Sequence, residues 1–287
     1  MDNRPINVAD LEACADVFYA ADDELNARRG MPLSPRNRAA LLRLFEHIVA
    51  TSPQRAWLAE RAGEVLGFGI AAQRGDMTFL SFLFVRPDAQ ARGIGRALLE
   101  RAMAGGDYRA VCIGSMQPIS AALYAAYGMV PRVPLYMFSG RPAAPLPDLP
   151  PGSEMRTISA AAVADLDRAV TGLTRPEDHT AWEAWQRQRF GLFRDDALVG
   201  YGYVQPTGRL GPVVVGEPAL LLPFLGALMA QLPEVETWLV NVPGVAAEAF
   251  VALLKTGMRL EGPPVVYCAT KLRIDHSRYL PATFALP

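Results

Sequence analysis

The residues Phe84-Val85-Arg86-Pro87-Asp88-Ala89-Gln90-Ala91-Arg92-Gly93-Ile94-Gly95-Arg96-Ala97-Leu98-Leu99 are arranged to hold an anion. An apolar run, Met77 to Val85, passes into a loop with two glycines, and the loop opens into a helical pattern. The first N–H groups of a helix lack intrahelical partners, and the helix dipole favours negative charge there. Gly93 and Gly95 carry no Cβ, so a phosphate can approach the backbone closely. No Gly-Lys-Ser/Thr follows, which excludes a Walker loop. A dinucleotide fingerprint needs a small residue three places after the second glycine, where Leu98 stands. What remains is Gln-x-x-Gly-x-Gly, Gln90 to Gly95, with Val85-x-Pro87 before it. Taken alone, the loop could also be a strand-to-helix turn that needed two glycines.

A second patch follows about 30 residues on. Gln117-Pro118-Ile119-Ser120-Ala121-Ala122-Leu123-Tyr124-Ala125-Ala126-Tyr127-Gly128-Met129 reads as a short helix. Pro118 suits its first turn and Gly128 the left-handed position past its end. The two patches together resemble the GNAT acyltransferase superfamily: Gln90 to Gly95 resembles its pyrophosphate loop, and Leu123-Tyr124 to Gly128-Met129 its Leu-Tyr-x-x-x-Gly-Phe element.

The resemblance implies acetyl-CoA as co-substrate. It implies that Gln90, Ala91, Arg92, Gly93, Ile94, Gly95 and Arg96 hold the diphosphate, chiefly through main chain, and that Tyr124 protonates the departing thiolate. The oxyanion donor is implied to be a backbone N–H at the end of the fourth strand, Phe84 or Val85. Gln117 stands where the family often has a cofactor-touching Asn, and Met129 replaces the usual Phe. The base is open. Asp22 shares a helical stripe with Leu11, Ala15, Phe18 and Leu25, an unusual place for a carboxylate; Glu60 is a second candidate, and water a third.

Composition narrows the setting. The chain has 287 residues, is 51% hydrophobic and carries a net charge of −1, so no global field draws nucleic acid or an anionic membrane. Cys14, Cys112 and Cys268 are far apart, and the three histidines are scattered, so neither a metal site nor a disulfide framework is expected. The first residues lack an apolar signal core. The greasiest stretch, Pro218 to Leu232, is shorter than the roughly 20 residues of a membrane span. A cytoplasmic protein with no membrane or nucleic-acid partner is expected.

Residues 140–153 hold five prolines, which bar a helix or an inner strand. This divides the chain into residues 1–140, a linker over 141–153 and residues 154–287. The first part reads as helices over 8–26 and 34–51, strands over 55–61, 64–73 and 77–85, a helix over 93–104, a strand over 109–114, a helix over 118–127 and strand near 130–139. The second part repeats the plan. Val65 to Ala71 matches Leu198 to Val204 at an offset of 133, and Gly128-Met129 matches Gly257-Met258 at an offset of 129. The fold expected is therefore α/β of mixed type: two tandem domains, each a mixed, largely antiparallel sheet flanked by helices.

The second copy lacks the chemistry. Gly216-Glu217-Pro218-Ala219-Leu220-Leu221 stands for the glycine loop, and Leu253 for Tyr124, so no CoA is expected in that cleft. Trp182 and Trp185 read as a packing stripe. The tail from Asp275 to Pro287 shows no periodicity and is expected to drape over the domain junction or to be disordered. The reading that unites these features is an acetyl-CoA-dependent N-acyltransferase acting on a small-molecule or peptide amine. An acyl-CoA-binding sensor or assembly module without turnover is the alternative.

Overall fold

The computed structural model describes residues 2–33 and 36–287. Contacts divide the chain into two compact units, one ending at Val111 and one beginning at Cys112. The first unit comprises β1 (Asp2–Pro5), α1 (Leu11–Arg28), α2 (Arg38–Thr51), β2 (Ala56–Arg61), β3 (Glu64–Arg74), β4 (Met77–Val85), α3 (Ile94–Ala102) and the opening residues of β5 (Tyr108–Gly114). The sheet order is β1-β2-β3-β4-β5, antiparallel except for the parallel β4/β5 pair. Strand β1 has no alternating pattern and was not expected from sequence. The expected start of the second helix, residues 34 and 35, lies outside the described residues.

Local chemistry explains these elements. The Asn7 N–H donates to Asp10 Oδ2 at 2.8 Å, and Asp10 N–H returns to the Asn7 carbonyl, closing the entry to α1. Asn37 caps α2 by accepting from Ala40 N–H at 3.0 Å. One sheet face collects Phe18, Phe45, Phe68, Phe82 and Phe84, with ring centroids 4.8 Å apart for Phe18–Phe84 and for Phe45–Phe82. The other face packs Ala59 and Leu66 against Ile94 and Leu98 of α3.

The second unit holds α4 (Pro118–Ala126), β6 (Val130–Gly140), β7 (Ser153–Thr157), α5 (Ala160–Thr171), α6 (Pro176–Ala184), β8 (Gln188–Arg194), β9 (Ala197–Val204), β10 (Arg209–Val215), α7 (Leu221–Met229), β11 (Trp238–Pro243), α8 (Ala247–Lys255), β12 (Arg259–Leu260), β13 (Val265–Ala269) and β14 (Tyr279–Leu280). Its strands run β13-β6-β11-β10-β9-β8-β7; β12 pairs β6 and β14 pairs β10. Thus β6, which closes the first sequence repeat, lies between β13 and β11 of the second. The repeat boundary read in residues 141–153 and the contact boundary at Val111/Cys112 are different divisions of the chain.

The tail is ordered. Tyr279, Leu280, Ala282 and Leu286 are buried, and β14 pairs Val213 and Val214 of β10. Disorder is therefore corrected: the strand has only two residues, too few to show a period.

Where the first repeat stacks phenylalanines, the second buries charge. Phe68 corresponds to Tyr201 at the offset of 133. The Tyr201 hydroxyl donates to Asp167 at 2.5 Å, and Arg175 grips the same carboxylate with two bonds of 2.7 and 2.9 Å. His179 bonds Asp167 at 3.3 Å and the Tyr203 hydroxyl at 2.8 Å. Tyr203 also accepts from Arg189 at 2.7 Å. Arg175 also donates to the Tyr279 hydroxyl and to the Pro287 carbonyl, tying the tail down. Burial alone would raise the Asp167 carboxyl, but Arg175 and His179 outweigh it and hold the group below the usual carboxylate range.

Removing one member of this cluster leaves the rest unpaired. Asp167→Ala should lower the unfolding free energy by about 3–5 kcal/mol, while Asp167→Leu combined with Arg175→Met should recover most of that, as read by chemical denaturation. A second test uses pH. Burial lowers His276 to about 4, against an ordinary 6.5. The unfolded chain then binds the proton first, so stability is full above pH 6.5 and declines as pH falls toward 4, by at most roughly 3 kcal/mol. His276→Gln should flatten that part of the stability–pH curve.

Candidate active site

The glycine loop is built as an anion cradle. A short turn, Pro87–Ala89, ends at Gln90, whose side-chain amide donates to the Val85 carbonyl at 3.1 Å and fixes the loop to the strand it leaves. Ala91 and Gly93 both have positive φ, 61° and 79°. Gly93 is the N-cap of α3 in the left-handed conformation, and a Cβ there would meet nothing within 4 Å. Its glycine is thus demanded by backbone angle and by open approach rather than by packing. Among the described residues, the N–H groups of Gly93, Ile94, Gly95 and Arg96 have no hydrogen-bond partner. Ile94 is buried and anchors the helix, while Ala91, Arg92, Gly93 and Arg96 face solvent. Four orphan donors at a helix start suit a diphosphate. Arg92 and Arg96 make no ion pair among the described residues.

The strand before the loop supplies a fifth free donor. Arg86 N–H bonds the Leu66 carbonyl at 2.8 Å. Hydrogen-bonded pairs alternate along an antiparallel ladder, so Phe84 spends its N–H on Phe68, while the Val85 N–H points off the ladder. The parallel register with β5 ends at Leu80↔Val111, so no strand pairing with β5 reaches Val85. Of the two oxyanion candidates, the register leaves Val85 open.

The second repeat shows the same ladder, filled. Gly216 N–H bonds the Val199 carbonyl at 2.7 Å, the counterpart of Arg86 on Leu66. That bond makes Val215 the counterpart of Val85. The Val215 N–H is occupied by the Arg278 carbonyl at 3.0 Å, where the tail runs into β14. The loop beyond it has Glu217 and Pro218, a proline with no N–H, in place of the glycines, and Leu253 is fully buried.

Tyr124 lies in the second unit, on α4, and only 6% of it is exposed. Among the described residues its hydroxyl has no hydrogen-bond partner. Burial first, then Cys268, raises its pKa above the ordinary tyrosine value, so the phenol keeps its proton. Gln117 is half-buried at the N-cap of α4 and makes no capping bond. Two carboxylates in the first unit differ sharply. Glu60 accepts from Arg4 at 3.1 and 3.0 Å, and Arg4 also holds Asp10 at 2.7 Å, so Glu60 is committed to a structural ion pair. Asp22 is half-buried and accepts from Asn26 at 3.1 Å. Its neighbours Asp23 and Glu24 are paired with Arg36 and Arg28, which leaves Asp22 the one acid of the three without a cation among the described residues. No group of His, Cys, Asp or Glu fit to hold a metal occurs among the described residues.

Residues 52–129 match the family model described as an acetyltransferase (GNAT) domain. A putative acetyltransferase from Pyrococcus horikoshii aligns over 100% of this chain and 95% of its own, at 18% identity and a TM-score of 0.77. A GCN5-related N-acetyltransferase from Sphaerobacter thermophilus covers 96% of this chain and 98% of its own, at 18% identity and TM-score 0.61. A tandem GNAT protein from the clavulanic acid biosynthesis pathway covers 93% and 97%, at 19% identity and TM-score 0.55. No curated protein matches the sequence. Residues 52–129 are thus similar to a GNAT acetyltransferase domain, and the chain shares its fold with a tandem GNAT protein. No helix among the described residues is long and apolar enough to cross a membrane.

Gly93→Asp places a carboxylate among the four free amides. It should weaken acetyl-CoA binding at least about 100-fold, ~2.7 kcal/mol, in a calorimetric titration. Unchanged affinity would move the cofactor site elsewhere.

Proposed function

We propose that the protein transfers the acetyl group of acetyl-CoA to an amine of a small molecule or peptide, through its first repeat alone. The observation that carries this is the row of unpaired amides at Val85 and Gly93 to Arg96, set against the occupied Val215 amide and the Glu217-Pro218 loop of the second repeat. Acetyl-CoA, when bound, supplies an acyl thioester. The amides of Gly93 to Arg96 take its diphosphate, Gln90 holds the loop, and Arg92 and Arg96 add positive charge. The Val85 N–H is the donor for the carbonyl oxygen as the amine attacks and charge grows there.

Tyr124 serves as the general acid for the leaving sulfur, a role resting on the sequence resemblance and supported by its unpaired hydroxyl and retained proton. Gln117 is the second contact assigned to the cofactor. For the amine, Asp22 is the carboxylate we assign: it is half-buried on the stripe with Phe18 and has no cation of its own among the described residues. It attracts the protonated amine and takes up its proton directly or through water. Glu60 is left with Arg4.

Tyr124→Phe should cut turnover by roughly 10²–10⁴ while leaving the acetyl-CoA Kd within about twofold. The assay is release of free thiol from acetyl-CoA across a library of amines. Thiol release from no amine, with tight acetyl-CoA binding retained, would favour the sensor reading instead.

A further inference from the structure

The second repeat buries more arginine than its acids neutralise. Arg187 precedes β8 and is only 8% exposed. One of its terminal nitrogens donates to the Gly211 carbonyl, a neutral acceptor, and its Nε is buried with no partner. Pairing of Gln188 with Val204 and of Val204 with Leu210 sets the register at this end of the sheet. One step outward, Arg187, Gln205 and Arg209 form a row across three strands, confirmed by the Gln205 N–H bond to the Arg209 carbonyl at 3.0 Å. Directly paired residues point to the same face, so both arginines project on the side of Arg189 and Tyr203. Between them Gln205 has turned its amide to the Trp185 carbonyl at 3.1 Å. Among the described residues, the half-buried Arg209 makes no side-chain hydrogen bond and no ion pair.

The acids of this face are already engaged. Asp167 holds Arg175 and His179, Glu183 lies 3.5 Å from Arg189, and Asp178 has a partner of its own. Burial, and for Arg187 the charge of Arg209 as well, push both guanidinium groups toward losing their protons. A guanidinium gives its proton up only at far higher pH, so relief must come from a counter-charge. A buried cation with a neutral acceptor and an orphan donor is otherwise costly.

We propose that Arg187 and Arg209 form a binding site for a small oxyanion, a phosphate or carboxylate group, on the α5/α6 side of the second repeat's sheet. The site is separate from the glycine loop and does not depend on the catalytic reading. Titration calorimetry at fixed ionic strength, with inorganic phosphate in one arm and acetate in the other, tests it. Wild-type protein should bind at least one of the two, phosphate pointing to a phosphorylated ligand and acetate to a carboxylate. Arg209→Gln should weaken that binding at least about tenfold, and Arg187→Gln likewise if it folds. Gly93→Asp, which disables the other anion cradle, should leave it unchanged, as should the exposed control Arg168→Gln. Binding that survives Arg209→Gln, or is lost in Gly93→Asp, or is absent in wild type for both anions, overturns the proposal.

Discussion

A backbone N–H that finds no partner is a demand the rest of a fold must answer, and this chain answers it in two opposite ways. In the first repeat, the amides of Val85 and of Gly93 to Arg96 are left open at the end of a strand and the start of a helix. In the second, the counterpart of Val85 is met by the chain's own tail, and a proline removes one donor from the loop altogether. The register bond beside each, Arg86 on Leu66 and Gly216 on Val199, shows that the two ladders are the same. What differs is whether the strand end is left open or used for internal pairing. The phosphate binding we propose at the loop rests on these main-chain donors rather than on Arg92 and Arg96, which are exposed.

The same divergence runs through the packing above each sheet. Helices α1 and α2 cover the first repeat's strands with phenylalanine rings, and α5 and α6 cover the second's with an Asp–Arg–His–Tyr cluster. An apolar wall needs no partners, so the first repeat's helices can stand beside an open strand end. A buried ionic cluster needs every donor and acceptor met, and the tail helps by accepting from Arg175 at Tyr279 and Pro287. The tail therefore does two things at once: it closes the strand end and completes the charge network.

Much of the first repeat was legible in the sequence because its signals are local. Gly93 and Gly95 mark the loop, Pro118 and Gly128 bound α4, and Phe68 and Tyr201 fall at the same step of a repeated strand. The candidate residues of the loop needed only their neighbours to be recognised. The choice between Phe84 and Val85 did not yield to sequence, since it rests on which of two adjacent N–H groups faces β3, a matter of ladder register. Glu60 looked available because its partner, Arg4, lies 56 positions away in a strand without a pattern. The polar cluster was hidden for the same reason. Asp167, Arg175, His179, Tyr201 and Tyr279 are spread over more than 110 residues, and a helical Trp182 beside them suggested plain packing.

In the reaction we propose, Tyr124 carries the step most exposed to electrostatics. A general acid for a thiolate must hold its proton until the sulfur needs it, and then release it without a competing acceptor nearby. Burial satisfies the first condition by penalising the phenolate. An unpaired hydroxyl satisfies the second, since a fixed acceptor would take the proton's direction away from the leaving group. Its counterpart in the second repeat, Leu253, is fully buried and has no proton to give. The contrast between Tyr124 and Leu253 thus follows the same line as the contrast between the amides of Val85 and Val215.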